Sequence, residues 1–376
     1  MQNAEQSTFI RSLTRIILTI LLSFFIGSII ILAIGENPLT VYGVLFSGAF
    51  KGQLGIGSTL AMFTPLLLTS TAFALAAQAG AANVGVEGEV FLGGLVAAYI
   101  AGFWTNLPKP LLYILAFGGA MLVGALWALI PALLRVYLRV SEICVTILMN
   151  SVAIFLASYF VAGPMSAGAT FSQSPPAVIR LTQFFRPSRL NTGIFISIFA
   201  FVLMWVLMKK TTLGFRIRMT GTNPSFTETV GLKPKQSFII AMMISGALGA
   251  LAGCIEILGV HGTYLDNFGA NLGTNGMLIS LIVDNQIMGV PFMAFFLAIL
   301  RNGAMAMQQA TNVPKSIVDM ISALFIIFAT MNITFNFVSK RKKKLQAATS
   351  SADLLQETDG KIQSNAESED QAHGSK

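Results

Sequence analysis

Glu87 and Glu89 stand two positions apart in the stretch Gly80–Phe91, GAANVGVEGEVF, between two strongly apolar runs. Paired carboxylates can trade protons, hold a cation, or act as acid and base toward a substrate. Each of those uses needs partners, and the sequence offers few. The histidines are His261 and His373, the cysteines Cys144 and Cys254, and none stands at ligand spacing from another. Neither a metal centre nor a nucleophilic cluster is expected, and no disulfide framework. A G-x-x-x-x-G-K-[ST] phosphate loop is absent: the only Gly-Lys pair, Gly360-Lys361, has Leu355 where the first glycine belongs. The chain is expected to bind neither a metal nor ATP itself.

The runs flanking the acids are the elements that must place them. Of 376 residues, 54% are hydrophobic and only 11% charged, against about 25% charged in soluble domains. Mean hydropathy is +0.73. The apolar residues form runs of the length that spans a bilayer, about 20 residues each. Ten fit, with approximate limits 15–35, 58–79, 86–106, 110–134, 143–163, 191–209, 238–260, 272–289, 291–309 and 316–338. The eighth is the weakest, because Asp284, Asn285 and Gln286 interrupt its end. The first is read as an uncleaved span: Ile16 to Gly35 is longer than a signal-peptide core, and Glu36-Asn37-Pro38 follows instead of a small-residue cleavage site.

The net charge is +8. In a soluble chain this suggests nucleic acid, but here the basic residues gather between apolar runs, where topology accounts for them. Arg11 and Arg15, then Arg135 and Arg139, then Lys209 to Lys235, then Lys340 to Lys344 all fall on one side of a ten-span chain. That side should be the cytoplasm, with both termini there. Arg180, Arg186 and Arg189 dissent, in a loop over 164–190 rich in Pro, Ser and Gln, which should be external with little regular structure. Residues 1–14 form a cytoplasmic N-terminus, 15–339 the membrane domain, and 340–376 a basic then polar tail expected to be disordered. Lys340–Lys344 fits the anionic lipid of an inner leaflet.

Two segments repeat. Ala82–Gly88 reads ANVGVEG and Ala270–Gly276 reads ANLGTNG, both A-N-[VL]-G-x-x-G, and both open an apolar run. The offset is 188 residues, half of 376, and five spans apart means opposite orientation. This is the pattern of an inverted-topology repeat, here about 15–163 and 191–338. Glycine lets the chain bend or approach closely, and Asn can cap a helix that begins where water is scarce. The expected fold is therefore an all-α polytopic membrane protein of about ten helices in two inverted five-helix repeats, with broken or re-entrant helices at the interface. Glu87 and Glu89 fall in the first turns of a helix, where the dipole favours negative charge. Three roles stay open to them: cap and dipole partner, lining of a solute path, or proton relay.

Between the sixth and seventh spans, in a loop over 210–237, lies GFRIRMTGTNPSFTETVGLKPKQSF. Asn223 suits an N-cap, Pro224 the first helical position, and Gly231 a left-handed C-cap. A short helix over about 224–230 is expected, with Glu228 early in it. It could be a lid or a grip for a partner protein.

At this point the residues resemble a family. AGAANVGVEGEVFLGG is similar to the A-G-x-x-N-[IV]-G-x-E-G-Q segment of membrane permeases from bacterial ABC importers for nucleosides and simple sugars. GFRIRMTGTNPSFTETVGL resembles their G-x-x-x-R-x-x-G-x-N-P-x-A-A-x-x-x-G-[IL] segment, and SEICVTILMN their E-[VI]-x-x-T-[IL]-M-x-N segment. GENPLTVYGVLFSGAF and ILRNGAMAMQ also fit, so the likeness runs over about 12–340. The first of these and the long external loop look more like the nucleoside, purine-type branch than the ribose branch. Departures are Glu89 for Gln, Phe226-Thr227 for Ala-Ala, and TNGMLISLIVDN, whose Ser280 and Asp284 replace small residues.

The resemblance implies one membrane subunit of an importer. Its partners would be a second permease subunit, identical or homologous, cytoplasmic ATPase subunits that hold ATP and Mg, and an extracytoplasmic solute-binding lipoprotein. Gly221, Asn223, Pro224, Phe226, Glu228 and Gly231 would form the coupling helix and its flanks, seated on the ATPase. Candidates for the nucleoside path are Asn83, Glu87, Phe91, Thr146, Asn150, Asn271 and Asn275, each of which serves equally well as an interhelical hydrogen bond or packing residue. The alternatives are a ribose or other simple-sugar permease, and an ion-driven secondary transporter, which also uses inverted repeats. An intramembrane enzyme lacks a catalytic cluster.

Overall fold

The structure, a computed structural model, describes residues 21–22, 24–33, 35–168, 172–184 and 187–311, with 316, 317, 320 and 323. All lie in one compact unit, Ile20–Ile326. The termini 1–14 and 340–376, and nearly all of the expected span 316–338, lie outside the described residues.

The described chain is helical: α1 (Phe24–Ala33), α2 (Pro38–Phe50), α3 (Gly52–Gln78), α4 (Val86–Phe103), α5 (Lys109–Leu138), α6 (Glu142–Ala162), α7 (Gly193–Lys210), α8 (Thr212–Thr222), α9 (Pro224–Thr229), α10 (Pro234–Ile255), α11 (Leu272–Ile282) and α12 (Val290–Ala310). A π-helical turn, Glu256–His261, extends α10. Among the described residues seven helices are long and apolar enough to cross a membrane, eight if α1 and α2 count as one bent span.

Of the ten expected spans the eighth is corrected, and a helix outside all of them, α2, is added. The first run, expected over 15–35, ends at a bend, and α2, which no expected span covered, meets α1 there at 120°. Gly35 turns the chain at φ +90°, and Asn37 and Pro38 start a new helix, with the Asn37 side chain accepting from the Leu39 N–H at 2.9 Å. The eighth run, expected over 272–289, yields only the 11 residues of α11. Asp284 and Asn285 adopt left-handed backbone, φ 54° and 56°, which ends the helix half-way to a full span.

Close helix contact depends on glycine. A Cβ on Gly253 would sit 1.9 Å from the Val90 carbonyl oxygen, and one on Gly246 2.3 Å from that of Gly124. The α10 backbone is thus pressed onto both α4 and α5, the small-residue packing that membrane helices use in place of a hydrophobic drive. These contacts also give directions. Glu89, Val90 and Gly94 of α4 meet Gly249, Gly253 and Ile257 in step, so α4 runs parallel to α10. Along α3 and α11, Thr69 packs on Gly276 and Gln78 Nε2 donates to the Asn285 carbonyl at 2.9 Å, so these two run parallel. The end of α3 shares a core cluster with the start of α10, through Ala76, Phe238 and Met242. α3 and α10 are therefore antiparallel, and so are α4 and α11.

The loop after α6, expected to have little regular structure, has no helix among its described residues but is not loose. Its backbone pairs with the far end of α10: Leu181 N–H donates to Leu258 O, Ala177 N–H to Gly262 O and Ser174 N–H to Tyr264 O, at 2.8–3.0 Å. Arg180 lies against Gly262 and donates to the His261 carbonyl at 3.2 Å. Two of the dissenting arginines, Arg180 and Arg189, therefore sit with this surface at the far end of α10; Arg186 lies outside the described residues.

Candidate functional site

The two sequence-matched segments meet. α4 starts at Val86, within the bundle, and its first N–H groups have no helical partners of their own. Asn83 Oδ1 accepts from the Gly85 N–H at 3.1 Å, and Asn150 Oδ1 from the Gly88 N–H at 2.8 Å. Asn150 also donates to the Val84 carbonyl at 2.9 Å, which ties α6 to the start of α4. Asn83 is fully buried, and its amide donates to Glu89 Oε1 and Ser245 Oγ, both at 2.9 Å. It closes the turn before the helix; the N-cap position itself is Gly85.

Glu87 looks outward from the first turn of α4 to the first turn of α11. Its Oε1 accepts from the Asn271 N–H at 2.8 Å, and its Oε2 from the Thr274 N–H at 3.2 Å and from the Thr274 hydroxyl. One carboxylate thus serves two helix N-termini, both of which attract negative charge. Asn271 holds left-handed backbone, φ 64°, and makes no side-chain cap; Asn275 donates to the Asn271 carbonyl. The approach requires glycine, since a Cβ on Gly273 would lie 2.3 Å from the Glu87 nitrogen.

The remaining candidates are also held within the chain. The Thr146 hydroxyl donates to the Glu142 carbonyl at 2.8 Å and the side chain packs on Gly85. Phe91 is 1% exposed, edge-on to Phe268 at 5.4 Å, behind the wall of the cavity described next.

A cavity of about 650 Å³ lies between α3, the π-turn, the segment 268–272 and α12. Most of its wall is apolar, with Leu54, Met62, Leu66 and Phe268 among the lining. Its polar groups include Arg189, Glu256, His261, Arg301 and Asn302. None of the seven path candidates lines it.

At the opposite end of α10 the short helix is present as expected. α9 runs Pro224–Thr229, Asn223 Oδ1 accepts from the Phe226 N–H at 3.0 Å, and Gly231 takes φ 78°. Glu228, expected early in the helix, is its fifth residue of six; the helix is one residue shorter than foreseen and its last turn, not its first, carries the acid. Thr227 is buried, while Phe226 and Val230 are 49% and 50% exposed. Gly221 fits against the α3–α4 turn: a Cβ there would lie 2.2 Å from Gln78 O and 2.8 Å from the Gly80 nitrogen. Asn223→Ala removes the cap and should cost α9 about 1 kcal/mol. Faster cleavage of the 222–232 segment in limited proteolysis checks this, and an unchanged pattern would show that packing alone holds the helix.

The family model described as branched-chain amino acid transport system / permease component matches residues 55–351. The nucleoside ABC transporter permease protein NupB of Lactococcus lactis is 30% identical over 348 residues, covering 88% of this chain and 94% of its own length. The chain belongs to this permease family. The guanosine ABC transporter permease protein NupP of Bacillus subtilis is 30% identical over 87% of this chain and 96% of its own. The glucose ABC transporter permease protein TsgB13 of Haloferax volcanii is 32% identical over 83% of this chain and 85% of its own. As an ABC importer permease the chain is a non-catalytic, multi-pass membrane subunit with no cofactor of its own, and its family implies ATPase and binding-protein partners.

The permease brings together polar groups that lie far apart in the sequence. Glu256, Asn302 and His261 come together only because α3, α12 and the π-turn converge, and no local motif signals it. Glu89, expected in the first turns of a helix, is in the first turn of α4 and 1% exposed; its Oε1 accepts from Asn83, and its Oε2 has no partner among the described residues. Glu89→Gln keeps the acceptor and the volume and should leave the melting temperature of the purified permease unchanged or raised. Glu89→Leu strands an Asn83 N–H and should cost about 1–3 kcal/mol. Equal losses in the two variants would contradict this placement.

Proposed function

We propose that this permease carries nucleosides, purine nucleosides first among them, into the cell. The observation that supports this most is near-full-length similarity to proteins named for nucleoside and guanosine transport. The glucose permease of similar identity favours a second reading, a simple sugar. Both solutes present a ring with several hydroxyl groups.

In this reading the α8–α9 face is cytoplasmic, because Lys209, Lys210, Arg216, Arg218, Lys233 and Lys235 border it. α9 docks on the ATPase through Phe226 and Val230. The permease consists of two inverted repeats whose matched segments open α4 and α11. Their opposite directions and the Glu87 bridge between their N-termini support that arrangement. Asn83, Glu87, Thr146, Asn150 and Asn275 hold the repeat interface together, since each already has partners inside the chain. A second permease subunit completes the path.

Uptake of labelled guanosine, uridine and glucose by cells with and without the gene tests the substrate class. Loss of nucleoside uptake alone supports the first reading. Loss of glucose uptake with nucleoside uptake intact overturns it in favour of the second.

A further inference from the structure

We propose that the cavity between α3, the π-turn and α12 is a solute chamber that reads vicinal hydroxyl groups through Glu256. This rests on the reading of the solute as a nucleoside or sugar, and deepens it by naming the group that is read and the residue that reads it.

The cavity has the size and make-up of a small-molecule site: about 650 Å³, within the range of about 300–1,000 Å³ typical of such sites, with apolar walls and a few fixed polar groups. It lies at the end of α10 remote from α9. Glu256 opens the π-turn, and turns of this kind recur at functional sites because they turn side chains out of α-helical register. Its carboxylate is 11% exposed and reaches the cavity. His261 Nε2 stands 3.7 Å from it, beyond hydrogen-bond length, and the charge of Arg189 also acts on it; among the described residues no hydrogen bond fills the acceptor sites of the carboxylate.

Asn302 supplies a second acceptor, and its orientation is fixed. The Thr59 hydroxyl donates to Ala49 O at 2.9 Å, so Thr59 Oγ1 must accept from Asn302. Asn302 Nδ2 donates there at 2.9 Å and to Gly55 O at 3.0 Å, which uses both of its N–H bonds. What remains for a ligand is Oδ1. The carboxylate and the amide oxygen suit a ligand rich in hydroxyl donors, in a cavity that Lys51, Arg189 and Arg301 also line. Phe268 adds an apolar face for a base or sugar ring; Phe91, Tyr264 and His261 brace it edge-on at 4.9–5.9 Å.

The test uses the permease assembled in lipid with its ATPase and binding protein. Glu256→Gln has the same size but gives up the charge and one acceptor. The KM for guanosine uptake should rise about tenfold, the change expected when a hydrogen bond to a charged group is weakened. The preference for guanosine over 2′-deoxyguanosine should shrink toward none. An assembled Glu256→Gln complex with unchanged preference overturns the proposal. A second measurement leaves Glu256 intact: Ser58, on the α3 wall of the cavity, is changed to Cys in a Cys144→Ser background, and maleimide labelling is timed. Guanosine and glucose should slow labelling, with 2′-deoxyguanosine weaker and leucine without effect. Labelling insensitive to both polyols, or slowed only by leucine, overturns the proposal. A wild-type complex that transports neither nucleoside nor hexose refutes instead the functional reading on which the chamber rests.

Discussion

Glu87→Ala is expected to prevent or sharply weaken assembly of the permease. The carboxylate accepts two backbone N–H groups and one hydroxyl from the first turn of α11. A hydrogen bond to a charged group contributes about 1.5–3 kcal/mol. The donors left behind would be unpaired N–H groups at the start of a helix only 11 residues long, too short to be stable by itself. A loss of about 3 kcal/mol or more follows. Glu87→Gln keeps one acceptor oxygen and should fall between, and Thr274→Val, which loses only the hydroxyl, should be the mildest of the three. Melting temperature of the detergent-solubilised permease and yield of the complex read this directly. If Glu87→Ala assembles normally and melts unchanged but transports nothing, Glu87 acts on the solute and not on the junction.

Gly221→Val should abolish coupled uptake. A Cβ at 221 has no space, because both atoms it would meet are backbone, Gln78 O at 2.2 Å and the Gly80 nitrogen at 2.8 Å. Backbone cannot rotate away, so the end of α8 must lift off the α3–α4 turn and carry α9 with it. That turn leads directly into Asn83 and the start of α4, so the contact joins the helix proposed to meet the ATPase to the junction around Glu87. Uptake should drop more than about tenfold while ATP hydrolysis by the assembled complex continues, since a small displacement in a coupling element can cost that much. Thr222→Ala, two residues short of Pro224 and exposed, removes only a hydroxyl bonded to the Arg218 carbonyl and serves as the control. Full uptake in Gly221→Val would mean that this contact does not transmit the motion.

What the sequence makes legible is local chemistry. Asn223-Pro224 and Gly231 mark α9 because a cap, a fixed φ and a left-handed residue act within a few positions. The paired A-N-[VL]-G segments mark α4 and α11 for the same reason, although the helix begins three residues after Asn83 in one and directly after Asn271 in the other. Matching of pattern does not fix the register of the cap. Hydropathy places most spans, but it measures apolar content and not length of helix, so the left-handed pair Asp284-Asn285 halves a run whose end the sequence marks only as weak. The bend between α1 and α2 has local marks too, in Gly35 and the Asn37-Pro38 start, but its 120° angle is not written in any hydropathy window. For Glu87 the sequence leaves cap and dipole partner, path lining and proton relay open; its bonds to a helix 184 and 187 residues away are a product of topology. The cavity is the extreme case, since Ser58, Glu256 and Asn302 are neighbours only in the folded chain.

The central claim is that this chain forms the path of an ATP-driven importer of nucleosides. It is tested most directly by guanosine uptake into proteoliposomes that hold the permease with its ATPase and receive the binding protein outside. Accumulation that requires ATP within the lumen, persists in the presence of ionophores and disappears in Gly221→Val is the predicted result. Accumulation without ATP that collapses when ionophores dissipate the ion gradients would contradict the account and identify a secondary transporter.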